Sequence, residues 1–289
     1  MTIVHDPQCA DYGSSMRPEQ PARILRTAPH LRQAHPGWTW RAPAPAPEAT
    51  VLAAHAPALL QRIGHGPDID GDTPYFPGIR EHALRAAGAA LEATALARVG
   101  EPAFALMRPP GHHATAARAM GFCYLNSIAI AALQAAAEGA RVAVWDFDAH
   151  HGNGTEDILR GRPNLFFASV HQYPGYPGTG TASGGNIANF PVAPHTPRAQ
   201  HLAALAESWH AVRAFRPDLV LVSAGFDAYA RDPITAMTLE AGDFAELGRW
   251  LRESGLAAAA VLEGGYSPDL PQLIDAFLSA WENEPRPAS

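Results

Sequence analysis

Five short runs of almost unbroken apolar residues, at 104–107, 142–147, 165–170, 219–223 and 258–262, set the limits on what this chain can become. A strand with one wet face alternates apolar and polar residues, whereas a continuous apolar run belongs to a strand covered on both faces. Between the runs lie stretches of helical period at 79–99, 125–138, 200–215 and 240–253. Buried strands alternating with helices predict an α/β fold of three layers, a central, mainly parallel sheet with helices on both faces. With 289 residues, 47% hydrophobic and 17% charged, the chain can fill one large core, and a single domain over 1–289 is expected. The Ala-Pro repeat at 41–47 reads as an extended surface connector, because too little sequence precedes it to form a domain of its own.

Several classes of function are disfavoured at this level. A net charge of −7 argues against a nucleic-acid surface, and the absence of any run of about 18 apolar residues argues against a membrane span. The two cysteines, Cys9 and Cys123, lack the spacing of a zinc ribbon or redox pair, which suits a reducing compartment. The opening MTIVHDPQC has neither the basic start nor the apolar core of a secretion signal, so a cytoplasmic location is expected.

Polar residues gather just after four of the apolar runs. RPPGHHA (108–114) follows the first, DFDAHHGNG (146–154) closes the second, Asp227 follows the fourth, and EGGY (263–266) follows the fifth. Open parallel sheets build their sites at the C-terminal strand ends, so all four segments are expected at one edge. Asp148 and His150, two apart in extended geometry, can reach one ion, with Asp227 as the third ligand. Two carboxylates and one imidazole with an open position make a catalytic set for zinc or ferrous iron. The adjacent pair His112-His113 cannot carry two charges cheaply, so one should stay neutral as a base while the other orients or protonates a leaving group. An isolated His-His pair is more often bonded to loop carbonyls. Asp146 suits a carboxylate that fixes a histidine tautomer, Asn153 a milder version of the same, and Tyr266 a donor to a developing oxyanion, although a lone Tyr after Gly-Gly more often only packs.

With these residues in view, the chain resembles the histone deacetylase and acetylpolyamine amidohydrolase family, whose fold is arginase-like. RPPGHHA (108–114), GFCYLNSIAIA (121–131), DFDAHHGNGT (146–155), YPGTG (176–180), SAGFDA (223–228) and EGGY (263–266) stand in the family's order, with a flavour of its class II-like branch. The resemblance implies Zn2+ on Asp148, His150 and Asp227, a general base at His113 oriented by Asn153, and an electrostatic partner at His112 backed by Asp146. It implies that Tyr266 polarises the scissile carbonyl. Gly121, Phe122 and Tyr176 fall at the walls of an acyl-lysine tunnel, and Asp72 at a rim aspartate. A structural K+ would sit at Asp146, Asp148, the backbone of His150, Ser169 and Val170. The expected substrate is an acylated lysine in a peptide or protein, or a small acylated amine.

Three departures sharpen the expectation. Arg17 stands where the family's H-P-E-x-P-x-R entrance segment has its histidine. Ile234 stands where polyamine-selective relatives carry a glutamate, which lowers the expectation of polyamine hydrolysis. The chain is also shorter than many relatives. A two-manganese arginase site is disfavoured, because Gly152 and Tyr229 occupy positions that would need carboxylates. The rival readings are a small-amide or acetylpolyamine hydrolase and a non-catalytic acyl-lysine-binding module.

Overall fold

The structure, a computed structural model, describes residues 1–282. In chain order it runs β1 (Thr2–Val4), α1 (Ala22–Ala34), β2 (Thr39–Arg41), α2 (Glu48–Val51), α3 (Pro57–Ile63), α4 (Ile79–Arg98), β3 (Ala103–Ala105) and α5 (Ser127–Ala137). Then follow β4 (Val142–Asp146), α6 (Asn153–Leu159), β5 (Leu165–Gln172), β6 (Ile187–Val192), α7 (Arg198–Ala214), β7 (Leu219–Ala224), α8 (Ala241–Ser254), β8 (Ala257–Leu262) and α9 (Leu270–Glu282). All eight strands form one sheet in the order β2-β1-β3-β8-β7-β4-β5-β6, and every pairing is parallel. The α/β reading holds, with the sheet wholly parallel.

Layering follows from the side chains. Alanines line the buried side of α4, and α5 is apolar almost all round, so the two helices pack closely together against the sheet. The opposite side carries α1, α7, α8 and α9. There Trp145 of β4 is fully buried, lies 4.8 Å from the ring of Trp209 and 6.3 Å from that of Trp250, and donates its indole N–H to Ser208 (2.9 Å). Among the described residues no helix is long and apolar enough to cross a membrane.

Three strands escape the sequence pattern for physical reasons. Strands β1 and β2 are three residues long, as β3 is, but no apolar run continues beyond them as Leu106 and Met107 continue β3. Strand β6 is an edge strand with Pro191 and partly exposed residues, so it never shows a continuous apolar run. The Ala-Pro connector is also more than surface: Ala46 is buried and its N–H donates to the Leu84 carbonyl of α4 (2.8 Å).

Candidate active site

The four strands that deliver chemistry, β3, β8, β7 and β4, are consecutive neighbours in the middle of the sheet. Their C-terminal ends therefore meet with no strand between them, and the loops beyond them share one buried space.

Beyond β4 the backbone leaves the sheet at Asp146 and bends. The Asp146 carboxylate accepts the N–H of Asp148 (3.1 Å), and the Asp148 carboxylate accepts the N–H of His150 (2.8 Å). Asp148 and His150 thus converge through successive side-chain-to-backbone turns, and not through the extended geometry expected from their spacing. Asp227, in the loop after β7, accepts the Ala149 N–H (2.8 Å) and faces them. His150 Nδ1 lies 2.8 Å from Asp227 Oδ2 and 3.2 Å from Asp148 Oδ1, and one donor atom from each of the three residues lies within 4.8 Å of the others. Buried carboxylates of like charge need a cation between them. Two oxygens and one imidazole nitrogen fit a divalent zinc- or iron-type ion with room for further ligands.

The histidine pair sits beside this cluster. His112 Nδ1 bonds Asp146 (3.0 Å), His113 Nδ1 bonds Asn153 (2.8 Å), and their rings lie 4.1 Å apart. Burial opposes charge on His112, but Asp148 and Asp146 outweigh it and hold its pKa up at about 10. His113 makes no hydrogen bond to a carboxylate: burial, then the charges of His112 and His150, outweigh the attraction of Asp148 and keep it well below the usual histidine range. The two environments push in opposite directions, as expected from the sequence, with charge disfavoured on His113. Asn153 Oδ1 takes the Nδ1 proton, which leaves Nε2 of His113 as the free base.

Three residues that the sequence reading did not single out hold the frame. Glu263, fully buried, accepts the backbone N–H groups of Gly111 (2.6 Å) and His112 (3.1 Å) and the hydroxyl of Ser223 (3.2 Å), tying the ends of β3, β7 and β8 together. Arg23 of α1 donates to the carbonyls of Gly265 (2.8 Å) and Glu263, with its guanidinium 4.9 Å from the centre of the Tyr266 ring. Asp232 accepts the N–H of Tyr266 (2.7 Å) and of Ile234 (3.1 Å). Glu263 and Arg23 lie in the EGGY and entrance segments already noted, but their partners are backbone groups distant in sequence, so residue type alone does not assign them this role.

Gly264 is required by close approach. Its N–H donates to Asp148 (2.7 Å), and a methyl group at this position would overlap the carboxylates of both Asp148 and Asp227. Gly264→Ala is expected to weaken metal binding about 10- to 100-fold, the range for residues that support a metal's ligands; metal retained after dialysis checks this. Gly152 likewise abuts the Asp146 carboxylate, so no second ligand fits there. Tyr229 bonds Asp269 (2.9 Å).

A cavity of about 290 Å³ opens from this centre, lined by His113, His150, Tyr266, Gly121, Phe122, Tyr176, Ile234, Asp72, Arg17 and Pro18. Every expected tunnel and rim residue borders it. The Phe122 and Tyr266 rings meet edge-on at 5.8 Å, as do Tyr176 and His113 at 5.0 Å. Burial pushes the Tyr266 phenol well above its ordinary pKa, so it stays a hydrogen-bond donor. The register of β4 on β5 pairs Asp146 with Ser169, and Val170 follows directly.

The histone deacetylase domain profile matches residues 17–281. The acetylpolyamine amidohydrolase of Mycoplana ramosa is 37% identical over 220 residues, covering 69% of this chain and 64% of that enzyme. A probable deacetylase of Archaeoglobus fulgidus is 41% identical over 217 residues, covering 69% of this chain and 60% of that protein. The chain thus spans less than two thirds of the length of either relative. The crystal structure of acetylpolyamine aminohydrolase from Burkholderia pseudomallei superposes with a TM-score of 0.89 at 28% identity, covering 98% of this chain and 99% of that one.

Proposed function

The chain belongs to the histone deacetylase domain family, and on that premise we propose that it is a metal-dependent amidohydrolase that removes acyl groups from primary alkyl amines, acetyl-lysine foremost. The observation that carries this reading is that His113, His150 and Tyr266 line one cavity while Asp148 and Asp227 converge on His150. Zn2+ suits Asp148, His150 and Asp227, with Fe2+ the alternative. When bound, that ion supplies Lewis acidity to the amide carbonyl and makes water a better nucleophile.

The protein's own groups do the rest. His113 Nε2 takes the proton of the attacking water. Tyr266 donates its hydroxyl to the carbonyl oxygen as negative charge develops there. His112, held protonated against Asp146, stabilises that charge through the adjacent ring. One of the two histidines then returns a proton to the departing amine. Phe122 and Tyr176 line the passage for the methylene stem. A structural K+ at Asp146, Asp148, the His150 backbone, Ser169 and Val170 belongs to the same reading.

A second reading, hydrolysis of acetylpolyamines, is favoured by the activity for which two similar proteins are named and by Asp72 at the rim. Ile234 and Arg17 weigh against it, because neither attracts a second ammonium. Comparison of an acetyl-lysine peptide with acetylputrescine separates the two. A non-catalytic binding module is disfavoured because His113 and Tyr266 both stand in position.

The direct test is hydrolysis by zinc-loaded protein, with Tyr266→Phe alongside. The variant should keep zinc and fold and lose roughly 10²- to 10³-fold in turnover, the usual loss of one oxyanion donor. A rate near that of the unmodified protein would remove Tyr266 from the mechanism.

A further inference from the structure

The cavity mouth carries two opposite charges that the mechanism does not use. Arg17 and Asp72 both border it. Arg17 donates through Nη1 to the carbonyl of Gly71 (2.6 Å), the residue just before Asp72. The Asp72 loop is set in turn by the Asp70 carboxylate, which accepts the N–H groups of Asp72 (3.0 Å) and Thr73 (2.7 Å). The Arg17 guanidinium is thereby anchored next to the backbone that carries Asp72. Among the described residues, neither side chain makes an ion pair, with the other or with a third group.

The lining of the cavity combines one charge of each sign with the apolar surfaces of Phe122, Tyr176 and Ile234 and with His113, His150 and Tyr266 of the hydrolytic centre. Three kinds of acylated amine can be compared with that profile. An acetylpolyamine brings only positive charge, which Asp72 accepts and Arg17 repels. An acetyl-lysine inside a peptide brings neutral amides, which leave both charges without ionic partners. An ω-acylated α-amino acid brings an ammonium and a carboxylate on one carbon, at the far end of a methylene stem from the amide. A volume of about 290 Å³ lies at the small end for ligand pockets and suits a molecule of that size.

We propose that the substrate is a free ω-N-acylated α-amino acid of the Nε-acetyl-lysine type, with Arg17 binding its carboxylate and Asp72 its ammonium. This rests on the deacylase reading above and narrows it. Hydrolysis adds water across the amide: a C–O bond forms, the C–N bond breaks, and acetate and the free diamino acid leave. The planar fork of Arg17 keeps N–H donors beyond the one spent on Gly71, as recognition of a carboxylate requires.

The test compares kcat/KM of zinc-loaded protein for Nε-acetyl-lysine, for N-acetylcadaverine, which keeps the ammonium and lacks only the carboxylate, and for an end-blocked acetyl-lysine peptide. The free amino acid should be preferred over each by at least about tenfold, the scale of a hydrogen bond between charged groups. Arg17→Gln, which removes the guanidinium, should bring the ratio of Nε-acetyl-lysine to N-acetylcadaverine close to one. A wild-type protein that turns over N-acetylcadaverine or the peptide equally well, or a ratio unmoved by Arg17→Gln, overturns the carboxylate site and leaves the deacylase standing. Failure to hydrolyse any of the three with zinc bound overturns the deacylase reading and this proposal with it.

Discussion

Asp227→Ala is expected to abolish stable zinc binding and reduce amide hydrolysis to background while leaving the protein folded. The proposed ligand set has three members, and Asp227 bridges the loop after β7 to the turn after β4 through the Ala149 N–H and the His150 ring. Its removal leaves one carboxylate and one imidazole, too few to hold the ion against water. The fold should survive for an electrostatic reason. Burial, then the neighbouring charge of Asp148, already push the Asp227 carboxyl above its ordinary pKa, so the metal-free protein loses a repulsive group along with a hydrogen-bond acceptor. Two measurements check this: zinc per chain by elemental analysis and the shift in Tm on adding zinc. The unmodified protein should be stabilised, by about 4 kcal/mol at ~1,000 times the dissociation constant; Asp227→Ala should show no shift. Zinc content equal to the unmodified protein would strike Asp227 from the ligand set.

The extent to which this site could be read from sequence depends on how each residue acts. Asp148, His150, His112, His113 and Tyr266 present their side chains from loops directly after buried strands, so residue type and position together expose them. Even there the route differed: Asp148 and His150 meet through a turn that their own carboxylates create, which a strand-based spacing rule does not describe. The framing roles of Glu263, Arg23 and Asp232 were not legible, although the first two fall in quoted motifs, because their partners are backbone groups of loops distant in sequence. The pattern of apolar runs identified β3, β4, β5, β7 and β8 and their order along the chain. It could not show that β3, β8, β7 and β4 are consecutive in space, although this adjacency is what brings four loops to one floor.

That adjacency also explains why charge is divided so unevenly over two neighbouring imidazoles. His112 faces Asp146 and Asp148 at the end of β4, whereas His113 points toward Asn153 and the cavity. Exchanging a carboxylate for an amide beside His113 removes the charge that would hold it protonated but keeps the acceptor that fixes its tautomer. The protein thus orients its base without losing the free lone pair.

His113→Ala should accordingly cost about 10²- to 10⁴-fold in kcat, the range of a positioned general base, with zinc content unchanged. The pH profile supplies a second check, and its sign follows from the environment. Burial disfavours the protonated ring first, and the charges of His112 and His150 disfavour it further. A bound divalent cation adds to the same side. His113 is therefore lowered relative to free histidine, so the base is available above its depressed pKa and is lost only as pH falls through it. The acid limb of kcat/KM should lie below the ordinary histidine value of about 6.5. Asn153→Asp reverses the local logic: a carboxylate at Nδ1 favours the imidazolium, so the acid limb should move to higher pH. An acid limb that stays in place in Asn153→Asp would show that the titration governing activity belongs to a group other than His113.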